Sequence, residues 1–209
     1  TTISLKETIL ADETATPLET ITNDGHFDNT PQGLPPQEVN HDVAIIEVET
    51  ASPIIYANWS INVKTIVFNN GSFVENFTVT LYYNGNFADS RSITNLFPGE
   101  NFTVTLTWNT SETTKNLYVP YTIKVEASPV TNETAIDNNI LIDETVTVVI
   151  LGDANGDRVV NILDIIVISN AFGTTLESPN WNVLGDLDGD GRITVNDLIL
   201  VARCFGQRW

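Results

Sequence analysis

The chain contains no methionine and a single cysteine, Cys204. One thiol cannot close an intrachain disulfide, which leaves a bound metal as the way to brace a small domain. The missing methionine leads us to expect a processed chain from which a secretory signal peptide has been removed. Basic residues are scarce: nine Lys and Arg stand against 27 Asp and Glu, for a formal net charge of −18. Nucleic acid needs a basic stripe and an anionic bilayer a basic cluster, so neither is expected as a partner. No apolar run approaches the ~18 residues of a membrane span. Divalent cations suit this charge better.

Composition changes twice along the chain, giving expected zones of 1–41, 42–150 and 151–209. The first is polar and acidic and ends in the Pro-rich stretch Pro31-Gln-Gly-Leu-Pro35-Pro36, so it reads as an extension or linker. Within it, Ile3, Leu5 and Ile9 fall on a period of two broken only at Glu7, a short strand pattern with one apolar face. The second zone alternates repeatedly. Strands are expected over 42–49, 59–69, 76–83, 87–93, 102–109, 119–127 and 140–150, separated by turn signals such as Asn84-Gly85-Asn86 and Pro98-Gly99-Glu100. Ile61, Val63, Phe77, Val79, Leu81, Val104, Leu106, Ile123 and Val125 are the expected inward residues. Seven short strands at this spacing predict an all-β, immunoglobulin-like sandwich.

The third zone alternates Asp/Gly-rich loops with apolar helical runs, expected over 162–172 and 195–205 and followed by Gly173 and Gly206. It is an internal duplication. The first loop reads Asp153-Ala-Asn155-Gly-Asp157-Arg-Val159-Val-Asn161-Ile-Leu-Asp164; the second reads Asp186-Leu-Asp188-Gly-Asp190-Gly-Arg192-Ile-Thr194-Val-Asn-Asp197. Oxygen side chains stand at places 1, 3, 5, 9 and 12, the spacing of an EF-hand loop, and place 7 (Val159, Arg192) offers a main-chain carbonyl. Calcium takes six to eight oxygens at about 2.3–2.6 Å, which such a loop can supply. All seven Asp of 151–209 fall at ligand places, whereas a merely solvated acidic surface would scatter them. Two calcium ions are therefore expected, in a small α-helical, EF-hand-like domain that is loose or unfolded in chelator. Two departures stand out. Place 12 is Asp, so the helix must approach closely, and place 6 is Arg158 in the first loop, where a sharp turn favours Gly.

Two resemblances follow from these residues. Leu96-Phe-Pro-Gly-Glu100 before Phe102-Thr-Val-Thr-Leu-Thr-Trp108, then Tyr121-Thr-Ile-Lys-Val-Glu126 and Ile136-Asp-Asn-Asn139, resemble the CARDB module, an adhesion-related, immunoglobulin-like repeat of prokaryotic surface and secreted proteins. That resemblance implies a structural or interaction role. The duplicated loop-helix pattern resembles a type I dockerin, which implies folding around two calcium ions and docking onto cohesin domains. In dockerins the contacts come from places 10 and 11, here Ile162-Leu163 and Val195-Asn196 in place of the frequent Ser-Thr pair. Ile162 and Leu163 form either an apolar docking patch or core packed on the sandwich.

Six Asn-x-Ser/Thr sequons, at Asn58, Asn70, Asn76, Asn101, Asn109 and Asn132, all lie in the sandwich zone and are candidate glycosylation sites. Trp59, Trp108 and Trp181 are expected in cores or domain contacts, and Cys204 as a small buried apolar residue. His26 and His41 have no neighbouring nucleophile, and no pocket of acid, base and nucleophile can be assembled, so no enzyme is expected. The expectation is a secreted or cell-surface, calcium-binding structural subunit. Its N-terminal strand either adds to the sheet edge of another copy, building a filament, or packs on its own sandwich. The alternative is an adaptor docking on a cohesin-bearing scaffold.

Overall fold

The computed structural model describes residues 39–113 and 116–208. Ile3, Leu5, Ile9, His26 and Trp209 lie outside the described residues. The chain forms eight strands, several of them marked by period-two alternation: β1 (Val43–Thr50), β2 (Ile54–Tyr56), β3 (Ser60–Asn69), β4 (Glu75–Tyr83), β5 (Asn86–Leu96), β6 (Asn101–Asn109), β7 (Pro120–Ala127) and β8 (Ile140–Val149). They form a three-stranded sheet, β1-β3-β6, and a five-stranded sheet, β2-β8-β7-β4-β5. The sandwich expected from the strand pattern is present, with one strand more than anticipated. β2 is three residues long and pairs parallel to β8, Ile54 opposite Thr147 and Tyr56 opposite Val149. So short a run carries no periodic signal.

Local chemistry sets the turns and the register. Asn84 and Gly85 both take positive φ, 45° and 81°, as a two-residue hairpin between β4 and β5 requires. A register shift between Ile45 and Glu47 turns Ile46 outward to 52% exposure while Ile45 and Val48 stay buried. All nine residues expected to face inward are buried. Val63 and Leu106 face each other across β3 and β6, and Leu81 faces Val125 across β4 and β7. At the centre, the fully buried Trp108 stacks on Tyr83 at 4.8 Å and meets Tyr121 edge-on at 5.4 Å.

β8 runs directly into the first Asp-rich loop. Gly152 makes that passage possible: its φ is +91°, and a Cβ there would stand 3.0 Å from Cys204 Cβ and 3.2 Å from Val160 Cγ1. Two helices follow, α1 (Ile162–Asn170) and α2 (Val195–Cys204), each slightly shorter than expected. The amide of Ala171 caps α1 by donating back to its last carbonyls, and Phe205 leaves α2 with an extended ψ of 130°. The duplication closes crosswise. Gly206 N donates to Val160 O at 2.8 Å, and Gly173 N donates to Ile193 O at 2.8 Å. Each loop is thus fastened to the residues that follow the other loop's helix, and Ile168, Ile193, Val160 and Val201 are fully buried between them.

Candidate metal centre

Both loops are built on the same hydrogen-bond plan. The Asp153 carboxylate accepts from the amides of Gly156 (2.8 Å), Asp157 (3.1 Å) and Arg158 (2.7 Å). Asp186 accepts from Gly189 (2.9 Å), Asp190 (3.2 Å) and Gly191 (3.0 Å). These bonds curl both loops back on their first residue. In the second loop the carboxylate oxygens of Asp186, Asp188 and Asp190 all lie within 4.8 Å of one another. In the first, Asn155 takes the middle place and its Nδ2 donates to Asp157 Oδ2 at 3.0 Å.

Place 12 does double duty. Asn161 and Thr194 are the N-caps of α1 and α2, and Asp164 and Asp197 are the third residues of those helices, closing a capping box in each. Asp164 accepts from the amides of Asn155 (3.2 Å) and Asn161 (2.8 Å). Asp197 accepts from those of Leu187 (2.8 Å) and Thr194 (2.7 Å). The short Asp reaches because the helix begins inside the loop. Arg158, at the place that favours Gly, is held at φ +69°, where the matching Gly191 has φ +80°.

The electrostatics are unbalanced within the protein itself. Asp153 is 1% exposed, and Asp164 and Asp197 are fully buried. Among the described residues every ion pair lies in the sandwich, and none reaches the seven loop aspartates. Burying an unpaired carboxylate costs several kcal/mol, or about that order, even after relaxation. Burial raises the pKa of Asp186; the amides of Gly191 and Gly189 oppose this, and the charges of Asp197 and Asp190 add to it. A divalent cation at the focus of a loop would offset these terms, and oxygen donors alone suit calcium or magnesium over softer metals. The residues fit the ion.

Two tyrosines of the sandwich reach these loops, and sequence reasoning did not find them. Tyr118, just before β7, donates its hydroxyl to Asp153 Oδ2 and receives the amide of Ile150 at 3.3 Å. Tyr56, on β2, donates to the main-chain carbonyls of Asp186 (3.3 Å) and Leu187 (3.4 Å). Burial, then the bond to Asp153, lifts the Tyr118 pKa far above the phenol range; burial, then the charge of Asp186, does the same for Tyr56. Both hydroxyls stay protonated and act as donors. Trp59, expected in a core or a domain contact, is 49% exposed, meets Tyr56 edge-on at 5.1 Å, and lines a groove with Leu151, Val183 and Leu200. Trp181 packs partly buried against the core, and Cys204 is buried as expected.

The residues at places 10 and 11 point outward. Ile162 is 56% exposed, Leu163 51% and Val195 57%, and Asn196 is exposed beside them. Of the two sequence readings of Ile162 and Leu163, core against the sandwich fails. All six sequon asparagines are exposed, although Asn70 Nδ2 is already bonded to the buried Asp42 at 2.5 Å. His41 pairs with Glu75 at 2.6 Å and stacks on Phe73, a structural arrangement.

Residues 151–206 match the family model described as the dockerin type I domain, and residues 41–143 match the CARDB model. No curated protein matches the chain. Among solved structures, a CARDB domain from Pyrococcus furiosus, in complex with di-metal ions, shares 21% identity. The match covers 55% of this chain and 98% of that one, with a TM-score of 0.44. A domain from Methanosarcina acetivorans also shares 21% identity, over 51% of this chain and 91% of that one, at a TM-score of 0.40. A β-glucosidase from Erythrobacter marinus aligns at 18% identity over 52% of this chain but 16% of the enzyme, with a TM-score of 0.39. Dockerin type I domains bind calcium, and neither matched family is catalytic. Among the described residues no helix is long and apolar enough to cross a membrane. Most of the described chain thus matches two family models in succession, CARDB over 41–143 and dockerin type I over 151–206, each a family typical of extracellular or cell-surface proteins.

Proposed function

We propose that this chain is a secreted or surface-borne, non-enzymatic connector. Its C-terminal domain folds around two calcium ions and docks a cohesin-type domain through the outer faces of α1 and α2. The proposed ligands are Asp153, Asn155, Asp157, Val159 (carbonyl), Asn161 and Asp164 for one ion. Asp186, Asp188, Asp190, Arg192 (carbonyl), Thr194 and Asp197 hold the other. The carrying observation is an opposition at each helix start. Asp164 and Asp197 are fully buried in the loops, while Ile162, Leu163 and Val195 stand more than half exposed. Each ion fixes the helix whose first turn presents the docking side chains, so docking depends on calcium.

Isothermal titration of chelator-stripped protein should give two calcium ions per chain. Purified cohesin domains should bind in calcium and release in EGTA, with Leu163→Glu weakening the complex by tenfold or more, about 1.4 kcal/mol. A stoichiometry of zero, or binding indifferent to Leu163, sinks the proposal.

Self-assembly by strand addition is a second reading, favoured by β5, which runs for 11 residues and is paired on one side only among the described residues. Deleting residues 1–20 and imaging the product tests it: polymers formed equally well without them remove the idea. Glycans at Asn58, Asn76, Asn101, Asn109 and Asn132 are proposed on their exposure, with Asn70 the poorest acceptor because its nitrogen is engaged. Intact mass before and after deglycosylation decides this.

A further inference from the structure

Besides four asparagines, which enter the left-handed backbone region readily, two bulkier residues occupy it, and their segments meet across the join between sandwich and loops. Tyr118 has φ +62° and Arg158 φ +69°. The bonds between their two segments are reciprocal. Tyr118 sends its hydroxyl to Asp153, the first residue of the first loop. Arg158, the sixth residue of that loop, sends its guanidinium Nη2 back to the carbonyl of Leu117 at 3.4 Å. Leu117 is 2% exposed, so the turn that receives the loop is part of the sandwich core. The turn is tied further, by Tyr118 N to Val148 O at 2.8 Å and by Ile150 N to Tyr118 Oη at 3.3 Å. Among the described residues the second loop has no equivalent. Its sixth residue is glycine, and the Tyr56 hydroxyl bonds to main-chain carbonyls of the loop rather than to a carboxylate.

We infer that Tyr118 and Arg158 form a calcium-coupled joint, through which an ion in the first loop stiffens the sandwich turn at 116–121 and fixes the two domains as one body. This rests on the calcium reading above. Asp153 is both the loop's first ligand position and the acceptor of the Tyr118 hydroxyl, so anything that fixes its carboxylate fixes the tyrosine. Strain at two facing residues persists only where surrounding contacts over-determine it, and each of these residues is held by the opposite domain. The arginine at the glycine place is then a positioning residue: glycine would relax the backbone and leave Leu117 untied.

Hydrogen–deuterium exchange on the full chain, in calcium chloride and in EGTA, separates the joint from the metal sites. Calcium should slow exchange in 153–164 and 186–197, and should also slow it in 116–121 by about tenfold, since linkage carries protection to coupled segments. Tyr118→Phe keeps the ring and removes the hydroxyl. It should abolish the calcium-dependent protection of 116–121 and leave that of 186–197 unchanged. Should that variant fail to fold, Arg158→Ala examines the same joint from the other side with the same expected loss. Protection of both loops without protection of 116–121 overturns the joint and leaves the calcium reading standing. Full protection of 116–121 retained in the variants overturns it too. No protection anywhere removes both readings.

Discussion

The sandwich and the loop domain are stabilised by different means. The sandwich buries Val43, Val63, Val67, Val79, Leu81, Leu106, Trp108, Ile123, Val125, Val146 and Val148 completely, and its β3 and β4 alternate between core and solvent. Among its described residues the loop domain buries eight apolar side chains: Ala154, Val160, Ile168, Ala171, Leu187, Ile193, Val201 and Cys204. Against that small core it carries three buried carboxylates with no basic partner. Fully burying a large aliphatic side chain contributes about 1.5–3 kcal/mol, so the first region has apolar burial to spare and the second has very little. A chain without a disulfide, and with too little core for a domain, concentrates oxygen donors.

Chelation should therefore break the two halves apart most sharply. At free calcium a thousandfold above the dissociation constant, each site contributes about 4 kcal/mol of stability. In EGTA the helical circular dichroism of 151–208 should be lost at a far lower temperature than in calcium, while the sandwich keeps its cooperative melt. A sandwich that unfolds together with the helices would remove the contrast. The converse experiment is Trp108→Ala. Losing a buried Trp costs about 3–5 kcal/mol, and the cost should be the same in calcium and in EGTA, read as the shift in the sandwich's urea midpoint.

Where the two regions join, Gly152→Ala sharpens the comparison. The new methyl group would press on Cys204 Cβ at 3.0 Å and Val160 Cγ1 at 3.2 Å, from a residue at φ +91°. Overpacking with backbone strain costs about 1–3 kcal/mol. The loss should appear in the loop domain's calcium-dependent melting and leave the sandwich's transition in EGTA unmoved.

What was legible in the sequence followed the same division. Strands β3, β4 and β7 announced themselves by alternation, and their inward residues are buried as expected. The loops announced themselves by spacing, since every Asp of the last zone stands at an alternating or closing place. What escaped was whatever depended on residues far apart. β2 is too short for a period, and its partner β8 lies some ninety residues on. The tyrosines that meet the loops are 35 residues from Asp153 and 130 from Asp186, and no local pattern marks them. Ile162 and Leu163 stayed ambiguous because an apolar pair at a helix start suits a core and a docking face equally; only their exposure separates the two. The crosswise fastening of the duplication was invisible because it pairs Val160 with Gly206, segments whose similarity lies in their backbone.

The smallest effect gives the sharpest distinction between the regions, because its sign changes with the metal. Asp190 sits with Asp186 and Asp188, their oxygens within 4.8 Å of one another, and its charge helps to raise the pKa of Asp186. Without a cation these charges repel. Asp190→Asn keeps the shape and an oxygen donor but removes one charge, so in EGTA the variant's loop domain should melt slightly higher than the parent's. In calcium the order reverses, because the ion now binds one carboxylate fewer and confers less stability. No residue of the sandwich should behave this way; Asp89, which pairs with Arg91 at 2.7 Å, should lose stability as Asn in both buffers. Thermal scans of both variants with and without calcium make the test. If Asp190→Asn is destabilising in EGTA as well, the aspartates are held by the loop's own amides more strongly than they repel, and the metal is not what the loop domain lacks.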